Sequence, residues 1–162
     1  MDNNSIISSL QEKFGLAILK TEVPDGIVTF TINAGTLIPI VSFMKESLGF
    51  NFLTDLCGIH YPEQESQLGV VYHLHNLNEN IRVRIKTFVP VGKPQVPTLN
   101  GLYPAANWME RETFDFYGIE FEGHPNLKRI LNVDYLDYYP MRKEYPLEDP
   151  TRHDKDDRFF GR

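Results

Sequence analysis

Residues 68 to 88 constrain the fold more than any other stretch. Leu68 to Leu77 and Ile81 to Phe88 each alternate with a period of two, joined by the short polar link Asn78-Glu79-Asn80. In the first run Val71, His73 and His75 share one side, with Val70, Tyr72 and Leu74 on the other. In the second, Arg82, Arg84 and Lys86 alternate with Ile81, Val83 and Ile85. Alternation of this kind predicts paired strands with one dry face and one wet face, so apolar elements must lie against the dry side. The segments that precede it supply them. Ile6, Ile7, Leu10 and Phe14 recur at helical spacing, with Asn4 or Ser5 placed to cap and Gly15 to end the helix. Leu37, Ile40, Val41, Met44 and Leu48 form a second stripe, with Thr36 as cap, Pro39 in the first turn and Gly49 as the stop. Between these helices, Leu16 to Val23 and Gly26 to Asn33 read as strands around Pro24-Asp25-Gly26, and Phe52 to Tyr61 reads as a further strand. The expected fold is therefore α+β: a two-layer domain over residues 1–89, in the order helix, two strands, helix, three strands.

The pattern stops after Val89. Pro90, Pro94, Pro97 and Pro104 punctuate a linker, 90–103, and a helix is expected over 104–118, from Pro104 to a stop at Gly118. Residues 119–162 show no sustained period and hold four more prolines. Yet eleven of the 20 aromatic residues lie between Trp108 and Phe160, about a third of the chain. Disordered segments are poor in aromatics, which gain most from burial. A long irregular arm that lies on another protein fits this composition.

Charge and cysteine content narrow the function. A formal net charge of -6 opposes a general nucleic-acid binder, which needs a basic face. The single cysteine, Cys57, makes neither an internal disulfide nor, alone, a zinc or iron–sulfur site, and a reducing compartment is the simple reading. The most apolar run, Leu37 to Phe50, is broken by Pro39, Lys45 and Glu46 and falls short of a membrane span. The first residues lack the basic start of a signal peptide, so a cytosolic protein that meets a membrane through partners is expected.

Three constellations could carry chemistry. Glu112 and Asp115 share a side of the 104–118 helix beside Trp108; they read either as a burial-tuned acid–base pair or as anchors for arginines of the arm such as Arg129 and Arg142, and the anchor reading is preferred. His73 and His75, with His60 and Cys57 nearby, could ligate zinc, although exposed strand histidines are the simpler account. Lys128, Arg129, Arg142 and Lys143 could meet phosphates or anionic lipid, or pair with carboxylates of a partner, which is preferred. No glycine-rich phosphate loop and no Gly-x-Ser-x-Gly elbow occurs.

The run Glu110-Arg111-Glu112-Thr113-Phe114-Asp115-Phe116-Tyr117-Gly118-Ile119 continues through Phe121-Glu122-Gly123-His124-Pro125-Asn126-Leu127-Lys128-Arg129-Ile130-Leu131 to Pro140-Met141-Arg142-Lys143-Glu144-Tyr145-Pro146-Leu147. It resembles the hallmark region of the 30 kDa subunit of respiratory NADH–quinone oxidoreductase (complex I). Two positions depart from that pattern: Tyr138 stands where glycine is usual and Leu136 where an aromatic is common. The resemblance implies a non-catalytic peripheral-arm component on the cytoplasmic side of a bacterial inner membrane. It implies no cofactor in this chain, with FMN, iron–sulfur clusters and quinone carried by partner subunits. It also implies that the arm wraps the 49 kDa homologue, which helps form the quinone chamber. The residues it places in docking and arm geometry are Glu110, Arg111, Glu112, Asp115, Gly118, His124, Pro125, Arg129, Arg142 and Lys143. The competing readings are an equivalent component of a membrane-bound hydrogenase or a ferredoxin- or formate-linked complex, a small metal-dependent hydrolase using His73, His75 and Glu112, and a binder of anionic lipid or nucleotide through Arg142 and Lys143.

Overall fold

The computed structural model describes residues 2–146; the part of the expected arm from 147 to 162 lies outside the described residues. The chain runs α1 (Asn3–Phe14), β1 (Ile18–Glu22), β2 (Val28–Ile32), α2 (Leu37–Ser47), β3 (Phe52–His60), β4 (Leu68–Asn76), β5 (Ile81–Val89), β6 (Gln95–Pro97), α3 (Ala106–Tyr117) and β7 (Glu120–Glu122). The first seven elements follow the order that the sequence predicts. A five-stranded sheet has the order β1-β2-β5-β4-β3. β3, β4 and β5 form an antiparallel meander, and β5 returns beside β2 in parallel. α2 makes this possible by carrying the chain from β2 to the far edge of the sheet.

The register explains the two faces. Phe30, Ile85, Tyr72 and Leu56 line up across neighbouring strands, and all are buried with Ile6 and Leu10 of α1 and Ile40 and Met44 of α2. Burial of one such side chain is worth about 1.5–3 kcal/mol, so this layer is the main source of stability. The opposite face carries Thr31, Lys86, Val71 and Cys57 in one row and Thr29, Arg84, His73 and Asp55 in the next.

Several local expectations shift. α1 begins at Asn3 because Asp2, not Asn4 or Ser5, caps it: the Ser5 N–H donates to Asp2 Oδ1 at 3.0 Å and the Asp2 N–H to Ser5 Oγ at 3.2 Å, a reciprocal capping box. Thr36 makes no side-chain cap, because a 3-10 turn, Ala34–Thr36, feeds α2 and Thr36 Oγ1 donates back to the Asn33 carbonyl. α3 starts at Ala106, not Pro104. The segment treated as linker contains β6, which pairs in parallel with β7 just after α3, Val96 opposite Phe121. Three-residue strands are too short to leave a period in sequence.

Candidate functional site

α3 packs near β3 at the edge of the sheet, and its close approach requires Gly58: a Cβ there would sit 2.4 Å from the Tyr117 ring. Ala106, Glu110 and Thr113 make the buried stripe of the helix, with Asp115 buried beside it. Gly118 ends α3 in the left-handed region at φ 71°, its N–H donating to the Phe114 carbonyl at 2.8 Å. From there the chain passes through β7 and folds back over the helix as coil.

Two carboxylates organise this return. Asp115 is closed from solvent and accepts four hydrogen bonds from residues 130–132. The N–H groups of Ile130, Leu131 and Asn132 all donate to Oδ2, at 3.0, 2.8 and 2.9 Å, and Asn132 Nδ2 donates to Oδ1 at 3.1 Å. Arg129 Nη1 adds a charged bond to Oδ1 at 2.9 Å. Burial alone would raise this carboxyl, but the amides of Asn132, Leu131 and Ile130 outweigh it and hold it well below the ordinary carboxylate range. Arg129 in turn joins separate parts of the arm: Nη1 also donates to the Asp115 carbonyl at 3.0 Å, and Nη2 to the carbonyls of Leu136 and Tyr138 at 2.8 and 3.4 Å.

Glu110 is the second. Its Oε1 accepts the Leu99 N–H at 2.7 Å and its Oε2 accepts the Thr98 hydroxyl, which fixes the segment before α3. Burial pushes its carboxyl up to about 7, against the lowering effect of these two donors. His124 is sealed beside it, 4.0 Å away. Because His124 Nδ1 accepts the Asn126 N–H at 3.0 Å, the ring proton belongs on Nε2, which donates to the Asn107 carbonyl at 3.1 Å. Pro125 is exposed in the turn between those two bonds.

Arginines close the remaining gaps. Arg111 donates to the carbonyls of Lys128 and Arg129, both at 3.1 Å, and lies over the Trp108 ring. Arg142 Nε donates to the Tyr117 carbonyl at 2.8 Å, and its guanidinium stacks on Tyr139 at 4.6 Å. Tyr139 covers Gly118 so closely that a Cβ would meet the ring at 2.4 Å. Past it, the Lys143 N–H donates to His60 Nδ1 at 2.9 Å, tying the arm to β3.

Asp115 thus meets Arg129 as an anchor, whereas Glu112 is exposed and holds neither Arg129 nor Arg142: it lies outside the buried stripe, and Arg142 takes a main-chain carbonyl instead. Lys143 contributes its amide, with its residue exposed. Chemical reasoning from the sequence singles out neither Glu110 nor the part His60 plays in holding the arm. For Glu110 a signal existed, since Ala106, Glu110, Thr113 and Tyr117 fall on one helical stripe. The zinc reading does not hold among the described residues, which contain no group of three or more ligating side chains. His73 Nε2 spends its lone pair on Arg84 Nε at 2.8 Å, and His75 Nε2 faces Asn80 Oδ1 at 3.2 Å. Beside the groove between β3 and α3, burial and then Asp55 push the Cys57 thiol up, away from a reactive thiolate.

The fold and these contacts define the class: an α+β sheet domain with a coil arm clamped onto its last helix. The chain belongs to the family of the 30 kDa subunit of respiratory-chain NADH dehydrogenase, whose model matches residues 30–151. It is 38% identical to the C subunit of NADH-quinone oxidoreductase from Geobacter sulfurreducens, over 93% of this chain and 94% of that one. It is 39% identical to the C subunit from Sinorhizobium medicae, over 89% of this chain and 72% of that one. Among solved structures, a trypsin-resistant fragment (1-134) of Nqo5 superposes with a TM-score of 0.68 at 30% identity, covering 75% of this chain and 98% of the fragment. A chain of an archaeal membrane-bound sulfane sulfur reductase superposes at 0.75 with 28% identity, covering 89% and 85%. No helix among the described residues is long and apolar enough to cross a membrane.

Proposed function

We propose that this protein supports electron transfer from NADH to quinone by docking and stabilising the 49 kDa homologue, the quinone-site component of the complex, on the cytoplasmic face of the bacterial inner membrane. FMN, iron–sulfur clusters and quinone then sit in the partners. One observation carries the reading. Leu131, Val133, Tyr135, Tyr138, Met141 and Tyr145 are exposed along a single stretch whose backbone is pinned by Asp115, Arg129 and Arg142. Apolar side chains held out on a fixed backbone mark a protein interface. Tyr135, 87% exposed, leaves nearly all of its ring to a partner.

Limited trypsinolysis tests it. Cleavage after Lys128, Arg142 and Lys143 should be several-fold slower once the 49 kDa homologue is bound than in the isolated chain. Equal rates with and without that partner would sink the docking role. The sulfane sulfur reductase likeness favours a second reading, an equivalent component of a related membrane-bound respiratory complex. Purification from native membranes separates the two: NADH-oxidising subunits travel with this chain in the first case and hydrogenase-like subunits in the second.

A further inference from the structure

The sheet face turned away from α1 and α2 is basic, in a chain whose formal net charge is -6. Arg82, Arg84 and Lys86 project from alternate positions of β5, and Lys20 of β1 shares their face through the pairing of Thr31 with both Lys20 and Lys86. Among the described residues two carboxylates share it. Glu22 is taken by Lys20 at 2.8 Å, and Asp55 lies 3.5 Å from His73 Nδ1. Arg82, Arg84 and Lys86 have no ion-pair partner among the described residues. Among the described residues Arg84 spends only its Nε, on His73, which leaves both terminal nitrogens of the guanidinium for a bidentate acceptor. Like charges at alternate strand positions repel, and Glu22, already paired with Lys20, partly offsets this at Lys86.

We propose that this open face is a second docking surface, and that it takes an acidic helix of a neighbouring protein laid along β5. Charge complementarity selects the occupant. The three cations recur every ~6.6 Å, twice the rise of a strand residue. Carboxylates at i and i+4 of a helix recur at about 6 Å, so successive turns of an acidic helix meet successive cations. The surface is distinct from the exposed arm, because β5 lies inside the sheet while the arm rests on α3 beyond the β3 edge.

The test uses the intact complex and a charge-reversed chain. Carbodiimide treatment of the complex from native membranes should join the Lys86 amine to an Asp or Glu of another protein of the complex, found by peptide mass mapping. The full-length double variant Arg82→Glu/Lys86→Glu should keep the parent melting temperature yet co-purify with its partners about tenfold less. The charge-keeping pair Arg82→Lys/Lys86→Arg should restore it. Three results overturn the proposal: Lys86 in the complex reacting freely with an amine reagent, normal co-purification of the reversed variant, or Lys86 protected only by phosphatidylglycerol vesicles and not by protein. Trypsin protection of the arm is read separately, so failure of this surface and failure of the arm's docking role remain distinguishable.

Discussion

Asp115 and Glu110 sit on the same helix and are both closed from solvent, yet their carboxyls move in opposite directions. Asp115 meets a row of amide donors and an arginine; Glu110 meets only one amide and one hydroxyl at hydrogen-bond distance, with the His124 ring 4.0 Å away. For Asp115, depressed in the fold, the stabilisation is present above the ordinary carboxylate value of 3.8 and is lost as pH falls below it. For Glu110, raised from 4.5 to about 7, the stabilisation is complete below 4.5 and is lost as pH rises through 7. The second shift amounts to about 3 kcal/mol. Denaturant titrations at pH 5.5 and 8 should show Glu110→Gln losing less stability between the two than the parent. Asp115→Asn should cost about 3–5 kcal/mol near neutral pH, because it leaves the Arg129 charge without its buried partner; calorimetric melting of both chains checks it.

α3 and the coil that folds over it stand or fall together. Gly118→Ala puts an L-residue at φ 71°, at about 1–2 kcal/mol, and drives a Cβ into Tyr139. The expected result is faster amide exchange over residues 139–143 with little change in β4, measured by hydrogen–deuterium exchange. The same contrast measures how legible the chain was. The three-strand meander and α2 were readable because their residues bury one side of a regular repeat, so each apolar position constrains the next. β6 and β7 were not, being three residues each. Nor were the amides on Asp115, which come from 15 to 17 residues away in coil that has no period to read. Asp115 itself was legible because a carboxylate on a helix near an apolar edge needs a cation, and the choice of Arg129 over Arg142 depended on how the arm turns.

Taken as one molecule, the chain has a core that is sealed by its own helices and an arm that is pinned yet leaves its apolar side chains outward. Arg142→Ala removes the link from the arm to the end of α3 and the stacking on Tyr139, far from the α1–α2 core. Assembly into the complex, scored by co-purification, should fall much more than the melting temperature of the isolated chain. The way Arg129 grips the arm has a consequence for how such proteins diverge. It tolerates whatever residue supplies the carbonyl at 136 and 138, because its guanidinium meets only main-chain oxygens of Leu136 and Tyr138 there. The clasp reads the route of the peptide and is blind to its spelling, so evolution is free to rewrite the lettering of the outer surface for each new neighbour without re-engineering the lock.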